Sequence, residues 1–236
     1  MRASRLPGKV LRPLAGEPML GQLIRRVLRA QLVDTVLVAT TVDSADDPIV
    51  AVAEEFGASV FRGSEQDVLG RVLGAARSVS ADWIVELTGD NPMVDPDVID
   101  ALVAVYAEGG FDYVANLPQR TFPLGMDVQV FAVNTLAEID RLTADPFDRE
   151  HVTTYIYRHP DRYRLYCLPC DPRLARPNFR LTVDEEPDFE LASRIYDYFL
   201  PEKPDFRLAD LVALLDSKPD WVAHNVSIQH RWVDGV

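Results

Sequence analysis

Two aspartates stand just past the C-terminal ends of apolar runs, where a carboxylate can hold a hard cation. Asp90 lies in Leu87-Thr88-Gly89-Asp90-Asn91-Pro92, and Asp184 closes Arg180-Leu181-Thr182-Val183-Asp184 before an acidic stretch that runs to Glu190. Ligands of open α/β sheets bind at such strand ends, and carboxylate oxygens suit a hard ion that bridges phosphates. Gly89 permits a sharp turn and Pro92 stiffens the chain beyond it. An ordinary turn accounts for Asp90 equally well, and acids at a helix start serve the helix dipole without further function. What separates these readings is whether Asp90 and Asp184 converge on one magnesium. A cationic counterpart sits at the N-terminus, in Arg2-Ala3-Ser4-Arg5-Leu6-Pro7-Gly8-Lys9. Arg5 and Lys9 flank a Pro-Gly turn with the Ser4 hydroxyl beside it. Backbone N–H groups next to Arg and Lys suit a triphosphate, although a basic terminus is commonly just solvated.

The elements that must position these groups alternate short apolar runs with amphipathic ones, the pattern of βαβ units. Residues 18–31 carry Met19, Leu20, Leu23, Ile24, Val27 and Leu28 at helical spacing and predict a helix, with Arg25, Arg26 and Arg29 outside. Strands are expected at 35–41, 59–61 and 83–88, with helices at 46–56 and 65–80 between them. Asp95-Pro96 is a helix start with an N-cap and a proline at the first helical position, and Gly109-Gly110 closes that helix. Strands at 111–115 and 126–131, helices at 135–142 and 149–158, strands at 164–168 and 179–183, and helices at 188–200 and 206–215 complete the pattern. The expected organisation is one doubly wound, mostly parallel α/β domain over 1–200. Within it, 115–180 forms an insertion facing the cleft, and 201–236 is a helical extension. The aromatic stretch from Trp221 to Trp232 is a candidate dimer contact or simply core packing.

Composition excludes several function classes. The 236 residues are 47% hydrophobic and 26% charged, enough for one sizeable core. A formal charge of −13 repels a nucleic-acid backbone, yet a few local cations can still invert the field in one cleft. No apolar run approaches a membrane span and no secretion signal is evident, so a cytoplasmic location is expected. The two cysteines, Cys167 and Cys170, lack the further ligands a zinc site needs and read as reduced thiols.

Taken together, the Arg2–Lys9 segment, Phe61-Arg62-Gly63-Ser64-Glu65-Gln66-Asp67, Thr88-Gly89-Asp90-Asn91-Pro92 and Thr182-Val183-Asp184-Glu185-Glu186-Pro187-Asp188-Phe189-Glu190 resemble the cytidylyltransferase family. That family includes acylneuraminate and 3-deoxy-manno-octulosonate cytidylyltransferases. Residues 121–131 and Asp148-Arg149-Glu150-His151-Val152-Thr153 are similar to its spore-coat polysaccharide branch. The resemblance spans residues 1 to about 200 and implies a nucleotide-diphospho-sugar transferase-like fold. It implies that Arg5 and Lys9, with Ser4 and Gly8, grip CTP phosphates. It also implies that Ser64, Glu65 and Asp67 meet the nucleoside, that Asp90 and Asp184 bind Mg2+, and that Asp127, Arg149, Glu150 and His151 border a sugar pocket. For the last four, a salt bridge or cap explains the residue types as well as substrate contact does. Family members carry a strand ending Gln-Ala-Arg directly ahead of the position of Met1. The expectation is therefore a sheet lacking its first central strand, with a gene start upstream.

The implied reaction couples CTP to a sugar or sugar acid for surface polysaccharide, giving CMP-sugar and pyrophosphate. Positioning and charge neutralisation would carry it. Two other readings are a glycosyltransferase of related fold and a non-catalytic nucleotide-binding homologue. Fold likeness alone does not choose among them.

Overall fold

The structure, a computed structural model, describes residues 5–117 and 119–228. A minimal hairpin, β1 (Pro13–Leu14) and β2 (Glu17–Pro18), leads into α1 (Met19–Val27). Next come β3 (Leu37–Thr41), α2 (Asp47–Glu55), β4 (Ser59–Gly63), α3 (Val68–Ser78), β5 (Trp83–Glu86) and α4 (Pro96–Ala107). The chain continues through β6 (Tyr113–Ala115), β7 (Gln129–Ala132), α5 (Val133–Leu142), α6 (Pro146–His151), α7 (Thr154–Arg158) and β8 (Leu165–Cys167). It ends in α8 (Glu186–Phe199), α9 (Leu208–Asp216) and α10 (Pro219–Ala223). No helix among the described residues is long and apolar enough to cross a membrane.

The strands form an α/β architecture in two pieces. β3 and β4 pair in parallel, while the larger sheet has the order β5-β7-β6-β8. In that sheet β7 runs against both β5 and β6, and β6 runs with β8. Among the described residues β3 and β5 are not hydrogen-bonded to each other, so the two pieces remain separate sheets. Side chains alternate strictly between two cores, as the period of two requires. Ile84, Tyr113 and Phe131 enter one core with Leu69, Leu73, Leu136, Ile139 and Ile156. Val85, Val114 and Val130 enter the other with Ile99, Leu102, Ile195, Tyr196 and Leu211. Helices therefore cover both faces, which is why the strands read as continuous apolar runs.

Several sequence expectations change at this level. Residues 179–183 do not form a strand. Their only β pairing among the described residues is a single bridge from Arg180 to Leu124, although Phe179, Leu181 and Val183 are buried in extended chain. The helix expected over 149–158 is split. Val152 takes φ 56° and ψ −63° as the C-cap of α6, and Thr153 N donates to His151 O at 2.6 Å across a tight γ-turn. A β-branched residue there stores on the order of 1–3 kcal/mol, which its nearly complete burial must offset. α3 starts at Val68 rather than residue 65, because the Asp67 carboxylate caps it by accepting from Gly70 N at 2.9 Å. Arg26 is inside rather than outside. Its Nε donates to Val94 O at 2.9 Å and its Nη2 to Phe206 O at 3.0 Å, with the guanidinium 4.1 Å over the Phe206 ring. Two carbonyls and a π-face make that burial tolerable.

One carboxylate sits on an otherwise apolar face. Glu86 pairs in register with Gln129, and its Oε2 is sealed with no hydrogen-bond partner. The neighbouring Gln129 Oε1 is taken by Tyr113 Oη at 2.5 Å and by Thr153 Oγ1 at 2.6 Å. Burial pushes the Glu86 carboxyl up to about 8, so the folded chain holds it protonated at neutral pH. The residue keeps a partly exposed edge, but the shut-off tip is what titrates. Because the folded value lies above the unfolded one, the stabilising contribution is complete below about pH 4.5 and declines as pH rises towards 8. Glu86→Gln, which keeps the shape without the charge, is expected to flatten this decline. It should raise stability at pH 8 by about 2–4 kcal/mol. Urea melts at pH 5 and pH 8 check it, and an unchanged slope in the variant would refute the assignment.

Candidate active site

The Asp90 turn is fixed on both sides. Thr88 Oγ1 donates to Asp90 Oδ1 at 2.5 Å, and Asn91 Nδ2 donates to Thr88 Oγ1 at 3.0 Å. The Asp90 carbonyl accepts from Val183 N at 2.8 Å, which ties the turn to the segment carrying Asp184. That segment is held in turn by Leu124, whose carbonyl accepts from Leu181 N at 2.7 Å. Gly125 (φ +103°) makes this approach possible, since a Cβ there would sit 2.5 Å from Thr182 N.

The N-terminal turn comes to the same place. Gly8 adopts φ 70° and caps the short 3-10 helix Lys9–Leu11, sending the Lys9 side chain inward. Lys9 Nζ lies 3.1 Å from Asp90 Oδ2, 3.1 Å from Asp184 Oδ1 and 2.7 Å from Val183 O. Both carboxylates thus face one cation, with oxygens separated by no more than twice that distance. Arg5 adds contacts of 3.2 Å to Asp184 Oδ2 and 3.2 Å to Glu185 Oε1. Burial alone would raise the Asp184 carboxyl. The charge and hydrogen bond of Lys9, with Arg5 and Arg180, outweigh it and hold Asp184 below the ordinary carboxylate range.

Behind Asp184 lies a buried hub that sequence reasoning missed. Asp188 accepts from Arg180 Nε at 2.8 Å and Nη2 at 3.0 Å, from Asp184 N and Glu185 N at 3.0 Å each, and from Asn225 Nδ2 at 2.8 Å. Arg180 Nη2 also reaches Asp184 Oδ2 at 2.9 Å. A signal was available, since Glu185 and Asp188 form a capping box at the start of α8 and Arg180 precedes Asp184 by four residues. Asn225, far along the chain, gave none.

The remaining expected site residues fall elsewhere. Ser4 lies outside the described residues. Ser64, Asp67 and Arg149 line a cleft of about 520 Å3 together with Gln66, Thr143 and Pro146. There Arg149 grips Asp67 through Nε at 2.8 Å and Nη2 at 2.5 Å and reaches Asp140 Oδ1 through Nη1 at 2.8 Å. Glu65 is exposed next to it. Asp127 pairs with Arg120 at 2.8 Å, Glu150 is exposed, and His151 stacks edge-on with Phe147 at 4.6 Å. Cys167 and Cys170 are free thiols, and no cluster of three or more His, Cys, Asp or Glu able to hold a metal occurs among the described residues. Trp221 packs partly buried against the core, while Trp232 lies outside the described residues.

The profile of the cytidylyltransferase family matches residues 1–203, most of the chain, including Arg5, Lys9, Asp90 and Asp184. The chain belongs to the cytidylyltransferase family. This cytidylyltransferase is 38% identical over 226 residues to the spore coat polysaccharide biosynthesis protein SpsF of Bacillus subtilis (strain 168), covering 93% of this chain and 92% of that one. A cytidylyltransferase structure from Leptospira borgpetersenii serovar Hardjo-bovis (strain JB197) superposes with a TM-score of 0.91 at 31% identity, over 98% of this chain and 95% of that one. A 3-deoxy-manno-octulosonate cytidylyltransferase of Chlorobium luteolum (strain DSM 273 / BCRC 81028 / 2530) is 41% identical over 133 residues, 53% of this chain and 49% of that one. The cytidylyltransferase is thus a nucleotidyltransferase by family, with Arg5, Lys9, Asp90 and Asp184 gathered at one point of its fold.

Proposed function

We propose that the chain transfers CMP from CTP to a sugar or sugar acid destined for surface polysaccharide, releasing pyrophosphate. The observation that carries this reading is the meeting of Asp90 and Asp184 on a single cation, with Arg5 beside it. The names of the B. subtilis and C. luteolum relatives, a polysaccharide protein and a sugar-acid cytidylyltransferase, support the choice of acceptor.

The two carboxylates fit magnesium: they are hard oxygen donors from separate elements, already spaced around one positive charge. Mg2+ customarily takes one or two carboxylates and completes its shell with waters and phosphate oxygens. When bound, the ion would supply charge neutralisation at the α-phosphate. The rest is done by the protein. Arg5 and Lys9 hold the β- and γ-phosphates and offset the charge that grows on pyrophosphate as it leaves. The acceptor hydroxyl attacks the α-phosphorus in line, opposite the leaving group, and no side-chain nucleophile is required. Ser64, Glu65 and Asp67 are assigned to the nucleoside, and Asp127, Arg149, Glu150 and His151 to the border of the sugar pocket. Arg149 acts there by fixing Asp67 rather than by a free guanidinium. Cytoplasmic chemistry and a homodimer are consistent with this role.

The test incubates the protein with CTP, Mg2+ and a panel of sugar acids, following pyrophosphate and CMP-sugar together. Equal amounts of both, from CTP in preference to other triphosphates, are expected. Sugar transfer from a nucleotide sugar without pyrophosphate would make it a glycosyltransferase, and CTP binding without turnover would make it a non-catalytic homologue.

A further inference from the structure

An ammonium group has three N–H donors, and all three of Lys9 are engaged: on Asp90 Oδ2, Asp184 Oδ1 and Val183 O. In this arrangement Lys9 has no proton to offer a phosphate, and its charge occupies the point where the carboxylates meet. The oxygens divide in a telling way. Asp90 Oδ1 is oriented by Thr88 Oγ1, and Asp184 Oδ2 by Arg180 and Arg5. The other oxygen of each aspartate is the one on Lys9. Each acid is therefore steered by one oxygen and presents its second to a cation that can leave.

We propose that Lys9 is the resident counter-cation of the site before nucleotide binds, exchanged for a divalent ion only when a triphosphate arrives to receive its ammonium. The ligand admitted is then the metal–nucleotide chelate, rather than the metal first and the nucleotide second. This rests on the reading of Asp90 and Asp184 as the metal ligands. Electrostatics favours the coupled exchange. A lone divalent ion between the aspartates would push against an ammonium whose remaining partner is one carbonyl, on a side chain only 11% exposed. A nucleotide without metal would draw Lys9 away and leave two carboxylates facing its phosphates. The chelate brings both missing charges at once, and Lys9 moves from the acids to the phosphates.

The experiment measures Mn2+ affinity without nucleotide, from the electron paramagnetic resonance of free Mn2+. Lys9→Met, which keeps length and loses charge, should tighten it by about tenfold or more relative to the wild type, and Lys9→Arg should not. Equal or weaker affinity in Lys9→Met, with Mn2+–CTP binding still lost in Asp184→Asn, would overturn the exchange and leave the metal ligands standing. Undiminished Mn2+–CTP binding in Asp184→Asn would overturn the metal reading itself. A second measurement needs no variant. The chain has three lysines, Lys9, Lys203 and Lys218, so the Lys9 side-chain resonance is separable by NMR. It should move on adding Mg2+–CTP and stay in place with Mg2+ alone. Equal movement with Mg2+ alone, or none with the chelate, would refute the proposal.

Discussion

Asp90→Asn is expected to lower kcat by at least about three orders of magnitude, roughly 4 kcal/mol of transition-state stabilisation, while the protein stays folded. The side-chain shape is kept, so Thr88 retains an oxygen partner. The backbone bond from Val183 N to the Asp90 carbonyl is untouched, as is the turn bond from Asn91 N to Thr88 O. What disappears is the negative charge that faces Lys9 Nζ and, in the proposed cycle, the metal. Because the ion arrives with the triphosphate, the KM for CTP should rise as well, although Lys9, Arg5 and the nucleoside loop remain. Steady-state pyrophosphate release beside a thermal melt checks this. A variant within tenfold of wild-type kcat would remove Asp90 from the metal site.

The second large effect is on stability. Asp188→Ala should cost about 3–5 kcal/mol, since it leaves a buried guanidinium and two backbone N–H groups without their acceptor. Asp188 is 2% exposed and receives donors from Arg180, Asp184, Glu185 and Asn225. Arg180 would then have Asp184 Oδ2 as its remaining carboxylate and would turn it away from Lys9. Residual folded enzyme should therefore also lose turnover. Asp188→Asn should recover only part of the stability, because both carboxylate oxygens face donors alone and the amide NH2 would have no acceptor there. Urea unfolding measures the first effect. A cost under about 1 kcal/mol would show that the hub does not hold the Asp184 segment in place.

The α/β order was legible because short apolar runs alternate with amphipathic ones. The division into two cores was not, since strands buried on both faces show no alternation. α4 was legible from Asp95 and Pro96, where Asp95 accepts from Asp97 N at 2.9 Å. The gathering of Arg5, Lys9, Asp90 and Asp184 came from strand-end chemistry joined to a family likeness. Residues 179–183 misled because an apolar run tells of burial and not of a partner at ladder spacing; a single bridge to Leu124 is all that forms among the described residues. Arg26 misled because helical spacing places a residue on a face without saying that Val94 and Phe206 carbonyls wait there. The split of 149–158 at Val152 depends on a positive φ that no β-branched residue advertises. Asn225 and Arg180 meet across 45 residues of chain, a contact that only the tertiary fold creates.

The central claim is that Asp90 and Asp184 share one divalent ion while Lys9 moves to the phosphates. An anomalous difference map of the protein crystallised with CTP and Mn2+ addresses it directly. The account predicts a peak bonded to a carboxylate oxygen of each aspartate and to phosphate oxygens, at distances near roughly 2.1 Å, with Lys9 Nζ on the triphosphate. A peak bonded to neither aspartate, with Lys9 still bridging the two acids, would contradict it.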